Sequence, residues 1–188
     1  MRKIIAAINT TLDGICDHTV GIPDGELHHY YAELLSNSDA ILFGRVTYQL
    51  MEFWKTLVEN PSGEKSMDHF AHVIDHIPKL VFSRTLDHVN WESAKLAEHN
   101  LDEEILILKQ QPGKDILVGS RSLIIQLLEL NLIDEFQLSI HPVVAGGGLS
   151  LFEGYKNSTE FKLINSKIFL SGVVTLYYAC STHTRKHT

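Results

Sequence analysis

The sequence predicts a three-layer α/β/α fold, in which helices cover both faces of a mostly parallel mixed sheet with antiparallel strands at its C-terminal edge. Three observations support this prediction. Short apolar runs that suit strands buried on both faces alternate with segments of helical periodicity. Two strand-like segments then follow one another near the end of the chain. The length of 188 residues suits a single domain.

The first half of the chain alternates strand and helix. Its predicted elements are a strand at 3–9, a helix at 24–37, a strand at 40–43, a short helix at 47–53, a loop at 55–66, a helix at 66–76 and a strand at 79–83. Asp24 is placed to cap the first turn of the helix at 24–37, because a short polar side chain there can accept a hydrogen bond from a free N–H group.

The second half continues the alternation and closes it with strands. Its predicted elements are a helix from about 100 to 110, a strand at 115–118, a helix after Gly119-Ser120, a half-exposed strand at 136–140 and closing strands at 159–169 and 173–180. Asn100 and Glu103 resemble a capping box. Because the polar tail at 181–188 has no periodicity, we expect a single domain at 1–180 followed by a disordered tail.

Charge and cysteine content limit the partners of the protein. Sixteen basic and 23 acidic side chains give a formal net charge of −7, which argues against nucleic-acid binding but not against a small phosphorylated ligand. No apolar run is long enough to cross a membrane, and Cys16 and Cys180 form no disulfide framework. We therefore expect a cytoplasmic protein that acts on a small molecule, without nucleic-acid or membrane partners.

A junction of buried strand, glycine and helix start occurs twice, and it suits phosphate binding. The two junctions are Phe43-Gly44-Arg45-Val46-Thr47 and Val118-Gly119-Ser120-Arg121-Ser122. Glycine lets a ligand approach the backbone, and a helix N-terminus offers unpaired N–H groups with a partial positive charge. Each junction alone is also compatible with a sharp turn and no ligand. Both would lie at the carboxyl ends of parallel strands, where ligands of such sheets collect.

Arginines reinforce this interpretation. Arg45, Arg84 and Arg121 each follow a predicted buried strand, and a guanidinium group pairs well with phosphate oxygens. Arg84 lies in a third segment of this kind, Ser83-Arg84-Thr85. The glycine patterns of Rossmann dinucleotide sites and of P-loop NTPases are both absent.

Several other features leave alternatives open. Asp13 either caps a turn or places a polar group at a cleft. Trp54 and its aromatic neighbours either line a pocket for a planar ligand or close the core. His72 and His76 have the spacing of a metal-binding pair, but a solvated helix face explains them as well and we expect no metal site. His141 is interpreted as a structural or lining residue rather than a base.

Taken together, the motifs resemble the reductase domain at the C-terminus of the bifunctional riboflavin-biosynthesis deaminase-reductase, the RibD C-terminal domain family, in a stand-alone form. That domain is similar in fold to dihydrofolate reductase. The segments that carry the resemblance stand in family order, and they are Thr11-Leu12-Asp13-Gly14, Leu42-Phe43-Gly44-Arg45-Val46-Thr47-Tyr48, Ser83-Arg84-Thr85-Leu86, Pro112 to Ser120, His141 to Gly148 and Ser171-Gly172-Val173-Val174.

The resemblance implies NADPH as the cofactor and assigns roles along the chain. Residues that would handle the adenosine and its 2′-phosphate are Gly44, Arg45, Thr47, Ser83, Arg84 and Thr85. Residues that would cradle the pyrophosphate are Gly119, Ser120, Arg121 and Ser122. Asp13 and Trp54 would face the nicotinamide and the substrate as the catalytic pair. The resemblance does not identify the acid of the folate enzymes, for which Glu26 and Glu33 are the candidates.

The expected activity is an NADPH-dependent reduction of a small heterocyclic or ribosylaminopyrimidine-like substrate by a homodimer. Hydride would pass from the cofactor to a C=N or carbonyl carbon, with the proton coming from Asp13 or from an ordered water. The alternative is a nucleotide-binding or ligand-sensing module without turnover, because the acid is not identified. A metal-dependent hydrolase built on the histidines is a third and weaker hypothesis.

Overall fold

The computed structural model describes residues 1–180, which form eight strands and five helices. In chain order they are β1 (Ile4–Thr11), α1 (Gly25–Ser36), β2 (Ser38–Gly44), α2 (Arg45–Glu59), α3 (Lys65–His76), β3 (Lys79–Phe82), β4 (Ala94–Leu96), α4 (Leu101–Gln110), β5 (Asp115–Val118), α5 (Arg121–Glu129), β6 (Glu135–His141), β7 (Phe161–Ile168) and β8 (Val174–Cys180). The tail at 181–188, predicted to be disordered, lies outside the described residues.

All eight strands belong to one sheet, in the order β4-β3-β2-β5-β1-β6-β8-β7. The strands from β4 to β6 are parallel to one another. The strand β8 runs antiparallel to β6, and β7 runs antiparallel to β8. The predicted mostly parallel sheet with an antiparallel C-terminal edge is therefore confirmed.

The central strands are buried on both faces, as their apolar runs predict. On one face Ile4, Leu42 and Ile116 pack against α4 and α5. On the other face their neighbours, including Ile5 and Leu117, pack against α1, α2 and α3. Successive strand residues point to opposite sides, so one continuous apolar run supplies both cores. The expected covering of both faces by helices is confirmed.

Some local predictions are wrong, and each has a physical reason. The helix α2 continues to Glu59, into the segment 55–66 predicted as a loop, because no helix-breaking residue precedes Pro61. The strand β4 was not predicted, since three residues are too few to show a period. Asn100 makes no side-chain cap. The carboxylate of Glu104 instead accepts hydrogen bonds from N–H groups of the preceding turn, at 3.0 and 3.1 Å.

The strand β6 is more buried than its alternating pattern suggests. Ser139 is fully buried and Gln137 is 5% exposed, because α1 covers this face of the sheet and Tyr30 and Tyr31 bond to these polar side chains. The predicted cap of α1 is confirmed, since Asp24 accepts a hydrogen bond from the N–H of Leu27 at 2.8 Å. No helix within residues 1–180 has the length and apolar character needed to cross a membrane.

Candidate active site

The two glycine junctions lie side by side at the carboxyl edge, the edge of the sheet at which the parallel strands end. They meet there because β2 pairs with β5. The N–H of Gly44 donates to Oγ of Ser120 at 2.8 Å. A Cβ atom at Gly44 would lie 3.1 Å from Oγ of Ser122, and one at Gly119 would lie 3.1 Å from the ring of Phe43. The close approach of the two junctions therefore favours glycine at both positions, since a Cβ atom would make a tight contact at each.

The helices that start at these junctions have no negative charge at their N-termini. Neither α2 nor α5 has a side-chain cap or an acidic residue in its first turn. Every other helix start within residues 1–180 carries carboxylates, which are Asp24 and Glu26 on α1, Glu64 and Asp68 on α3, and Asp102, Glu103 and Glu104 on α4. The first-turn N–H groups of α2 and α5 are thus available to an anion.

Two of the three predicted arginines are free to bind an anion. Arg45 is exposed and only contacts Oε1 of Gln49, at 3.2 Å. Arg84 is also exposed, and neither arginine has a carboxylate partner within residues 1–180. Their charges are therefore not neutralised by the protein.

Arg121 also holds a loop. Its Nε donates to the carbonyl oxygen of Ser150 at 2.7 Å, and its Nη2 donates to that of Glu153 at 2.5 Å. The guanidinium group thus fixes the loop that follows the glycine-rich segment. Because both partners are neutral carbonyl oxygens, these bonds do not neutralise its charge.

The segment Ser83-Arg84-Thr85 reaches the same edge through β3. Phe82, the last residue of β3, pairs with Gly44 in the sheet, so Arg84 emerges next to the start of α2. Oγ of Ser83 accepts hydrogen bonds from the N–H groups of Thr85 at 3.1 Å and Leu86 at 2.9 Å. Ser83 therefore shapes the turn, and the exposed side chains of Arg84 and Thr85 face solvent. Thr47 lies half-buried in the first turn of α2.

Asp13 connects two loops at the end of β1. Its carboxylate accepts hydrogen bonds from Oγ1 of Thr11 at 2.5 Å and from the N–H groups of Ala145 at 3.1 Å and Gly146 at 2.8 Å. These bonds, with that from Thr11 the strongest, lower the pKa of Asp13 to about 2. A carboxylate held ionised in this way does not deliver a proton near neutral pH. The hydrogen bonds of Asp13 thus join the loop after β1 to the segment at Ala145 and Gly146.

Trp54 lies among the helices rather than beside Asp13. Its ring packs edge-on against Phe70 of α3, with 4.6 Å between ring centroids, and against His28 of α1, at 5.6 Å. Burial lowers the pKa of His28, and nearby carboxylates oppose this effect. Of the two alternatives, core packing accounts for these contacts, although the indole remains partly exposed between α1 and α2.

The candidate acids on α1 do not complete a catalytic group. Oε2 of Glu26 accepts a hydrogen bond from the N–H of Leu170 at 2.9 Å, so this carboxylate ties α1 to the turn between β7 and β8. Glu33 is exposed on α1. Within residues 1–180 no group of three or more His, Cys, Asp or Glu side chains could hold a metal ion. The rings of His72 and His76 lie 4.3 Å apart on α3.

Asn9 is a candidate site residue that no sequence pattern indicated. It lies on β1 in the middle of the sheet, yet it is exposed. The last pair between β1 and β5 is Ala6 with Val118, so three residues later β1 has no neighbour on that side. The floor of the sheet is therefore open beside the Gly119-Ser120 junction, and Asn9 lies in this opening. The only available sequence signal was a polar residue that ends the apolar run of β1.

The half-buried Tyr31 and the buried His141 contact the side chain of Asn9. The hydroxyl of Tyr31 lies 3.0 Å from Oδ1 of Asn9, and Nε2 of His141 lies 3.1 Å from the same atom. Burial raises the pKa of Tyr31 to about 12 and lowers the pKa of His141. The tyrosine therefore keeps its proton, and the imidazole is neutral near pH 7. Tyr31, which contacts Asn9, and His28, which contacts Trp54, lie three residues apart on α1.

Known proteins share this architecture. YyaP of Bacillus subtilis, an uncharacterized protein, is 38% identical to the chain, with 94% of each chain covered. A protein from Shewanella sp. PV-4, described as a riboflavin biosynthesis protein, superimposes with a TM-score of 0.71 at 23% identity, over 96% of this chain and 99% of its own.

A second solved structure extends the comparison to a bifunctional protein. It is the diaminohydroxyphosphoribosylaminopyrimidine deaminase/5-amino-6-(5-phosphoribosylamino)uracil reductase of Thermotoga maritima. It gives a TM-score of 0.64 at 17% identity, with 96% of this chain and 57% of that one covered. The dihydrofolate reductase-like fold is therefore confirmed. The family model for the RibD C-terminal domain matches residues 2–175, and the chain belongs to that family.

Proposed function

We propose that the protein is an NADPH-dependent reductase of a small heterocyclic substrate of the ribosylaminopyrimidine or pterin type. The observation that carries this proposal is the pair of helix starts at the carboxyl edge. The two starts adjoin through the bond between Gly44 and Ser120, and neither carries a carboxylate. The protein has a formal net charge of −7, yet these two helix starts carry no acidic side chain. Such a surface suits a polyanionic cofactor, because no carboxylate repels its phosphates.

The residues present fit the cofactor. The N–H groups at the start of α5, with the hydroxyls of Ser120 and Ser122, would hold the pyrophosphate. Arg45 and Arg84, exposed and without carboxylate partners in the described chain, would hold the 2′-phosphate of the adenosine. The absence of a Cβ at Gly44 and Gly119 lets the two helix starts lie close together, so that one polyanion could meet both.

Bound NADPH would supply the hydride that reduces a C=N or carbonyl carbon of the substrate. The chain itself would orient the substrate over the open floor at Asn9, between the helices that carry Tyr31 and Trp54. Asp13 would hold the loop after β1 against Ala145 and Gly146, which fixes the rim of the cleft. The low pKa of Asp13 favours an ordered water over Asp13 as the proton source.

The relatives support the class of the reaction. The Thermotoga maritima protein is named as a reductase of 5-amino-6-(5-phosphoribosylamino)uracil, and the Shewanella protein is described as acting in riboflavin biosynthesis. Membership in the same family makes a pyrimidine-type substrate the first to test.

Calorimetry and an absorbance assay test the proposal. We expect NADPH to bind with micromolar affinity and to be oxidised in the presence of 5-amino-6-(5-phosphoribosylamino)uracil or a dihydropterin. No binding at millimolar NADPH would falsify the proposal. Tight binding without oxidation across such a panel would favour the alternative, a nucleotide-binding module without turnover.

We also propose a cytoplasmic homodimer. Its cysteines, Cys16 and Cys180, are both free thiols, as a reducing compartment allows. The edge strand β7 and the turn after it expose large apolar side chains, including Ile168 at 75% and Leu170 at 98%. A second copy would cover such a patch. Light scattering should give twice the monomer mass for the wild type and the monomer mass for Ile168→Lys.

A further inference from the structure

Resting on the proposed function, we infer that Asn9 determines substrate specificity. Held by Tyr31 and His141 with its carboxamide oxygen turned inward, it presents its NH2 group to a hydrogen-bond acceptor on a planar heterocycle. The acceptor is a ring carbonyl oxygen. The contacts of His141 determine which atom of the Asn9 carboxamide faces inward.

The tautomer of His141 determines the direction of its hydrogen bond to Asn9. His141 is 2% exposed, and its Nδ1 lies 3.1 Å from the backbone nitrogen of Ile22. A backbone N–H can only donate, so Nδ1 of His141 accepts and carries no proton. In the neutral ring the proton is therefore on Nε2, which donates to Asn9. The atom of Asn9 at this position must be the oxygen.

Tyr31 is compatible with the same orientation. Its hydroxyl has one proton, which is placed to be donated either to Oδ1 of Asn9 at 3.0 Å or to Oγ of Ser139 at 3.1 Å. Donation to Asn9 gives Oδ1 a second hydrogen bond beside that from His141. Rotating the amide would place the NH2 group of Asn9 against the Nε2–H of His141, and two donors cannot pair.

The NH2 group of Asn9 is the part that remains for a ligand. It has no hydrogen-bond partner within residues 1–180, and Asn9 is exposed at the open floor of the sheet. A ligand that covers this group without offering an acceptor leaves two N–H donors unsatisfied. Sites of this kind discriminate strongly against analogues that cannot complete the hydrogen bond. The structure therefore selects for carbonyl-bearing rings over amino-substituted rings at this position.

Two pteridines that differ in their substituents test the inference. Lumazine carries carbonyl groups at positions 2 and 4, and 2,4-diaminopteridine carries amino groups there. Binding of each is measured by calorimetry in the presence of NADP⁺. We expect the wild type to bind lumazine at least tenfold more tightly. We expect Asn9→Asp to reverse the preference, since the outward atom becomes an oxygen that only accepts.

The controls separate specificity from charge and from folding. Asn165→Asp adds the same charge at an exposed position of β7 in the same sheet, and it should retain the wild-type preference. His141→Phe removes the donor that orients Asn9, so the ratio of the two affinities should move towards one. His141→Gln retains an N–H donor and should restore part of the preference.

The outcomes distinguish this inference from the proposed function. An unchanged preference in Asn9→Asp overturns the inference even if NADPH is oxidised normally. Failure of both pteridines to bind the wild type overturns the inference as well, because the NH2 group of Asn9 then recognises no acceptor on such a ring. If the protein does not bind NADPH, the proposed function is overturned. If Asn9→Asp reverses the preference between the two pteridines, the inference holds whether or not the enzyme oxidises NADPH.

Discussion

The two edges of the sheet treat their charged groups in opposite ways. At the edge where the parallel strands begin, a groove of about 590 Å³ is lined by Arg2, Lys79 and Glu104, among others. The chain itself satisfies these charges. The guanidinium group of Arg2 bonds to Asp39 and to two carbonyl oxygens, and the ammonium group of Lys79 has three oxygen partners at 2.7 to 3.2 Å.

The carboxyl edge lacks such compensation. Arg45 and Arg84 have no carboxylate partner in the described chain, the N-termini of α2 and α5 have no cap, and the NH2 group of Asn9 has no acceptor. The volume of a groove therefore does not identify the functional edge of this molecule. Polar groups without partners do so, because leaving them unsatisfied has a free-energy cost that a ligand can remove.

The largest expected effect concerns Lys79, which lies at the edge where the parallel strands begin. Burial lowers its pKa from 10.5 to about 7, although Asp75 opposes this. Between these pH values the unfolded chain binds the proton more strongly, so the free energy of unfolding rises with pH. One proton contributes about 4 kcal/mol between pH 7 and 10. Denaturant unfolding of the wild type and of Lys79→Met should show this rise only in the wild type.

The NADPH affinity of the same variant tests the contrast between the two edges. Lys79→Met should bind NADPH with wild-type affinity, because the lysine lies at the edge opposite the proposed site. Parallel pH profiles for the two proteins would contradict the assignment of a depressed pKa to Lys79.

The next effect concerns Val46, an exposed residue in the first turn of α2. Val46→Asp places a carboxylate where the helix start has none, which favours the helix dipole but repels phosphate. We expect NADPH to bind at least about tenfold more weakly, which corresponds to about 1.4 kcal/mol, with unchanged or higher thermal stability. Val46→Asn adds no charge and should bind NADPH nearly as the wild type does. Equal affinities of the two variants would show that α2 does not meet the phosphate.

A smaller effect is expected at Arg84, which the proposal places near the 2′-phosphate. Arg84→Ala should reduce the preference for NADPH over NADH by about tenfold, since one charge-assisted contact is lost. The affinity for NADH should not change, because that cofactor has no 2′-phosphate. Arg121→Ala is the contrasting variant. It should lower thermal stability, since it releases the loop held through Ser150. A preference unaffected by Arg84→Ala would place the 2′-phosphate elsewhere.

The parts of the molecule that sequence could predict depend on local patterns. The buried strands β2, β3 and β5 are continuous apolar runs, and the cap of α1 is a polar residue one position before the helix. The two glycine junctions follow directly from such strands, so their place at one edge was predictable from the parallel sheet.

Other parts depend on contacts between residues distant in the chain. Asn9 meets His141 across 132 positions and Tyr31 across 22, and no local period reveals either contact. Arg121 has the same sequence context as a phosphate ligand, but the fold brings two carbonyl oxygens to its guanidinium group. Asp13 was predicted either to cap a turn or to place a polar group at a cleft, and no local pattern shows that its carboxylate binds the N–H groups of Ala145 and Gly146.

The smallest expected effect returns to the carboxyl edge, at His141. Burial lowers its pKa below the ordinary value of 6.5, and Asp24, the charged group that faces it, opposes the shift. The unfolded chain therefore gains a proton first as the pH falls below about 6.5, and the free energy of unfolding decreases. The decrease ends once the pH has passed the pKa of the folded state.

Unfolding in denaturant between pH 8 and 5 measures this contribution, which is at most about 1.4 kcal/mol per pH unit for one proton. His28 contributes in the same direction, so the comparison is made with His141→Gln, in which only the His28 part of the decrease remains. Protonation of Nδ1 would also break the bond from the N–H of Ile22, since two donors cannot pair. A wild-type profile identical to that of His141→Gln would mean that the buried imidazole accepts a proton as readily as in the unfolded chain, and the orientation of Asn9 would then be free to vary with pH.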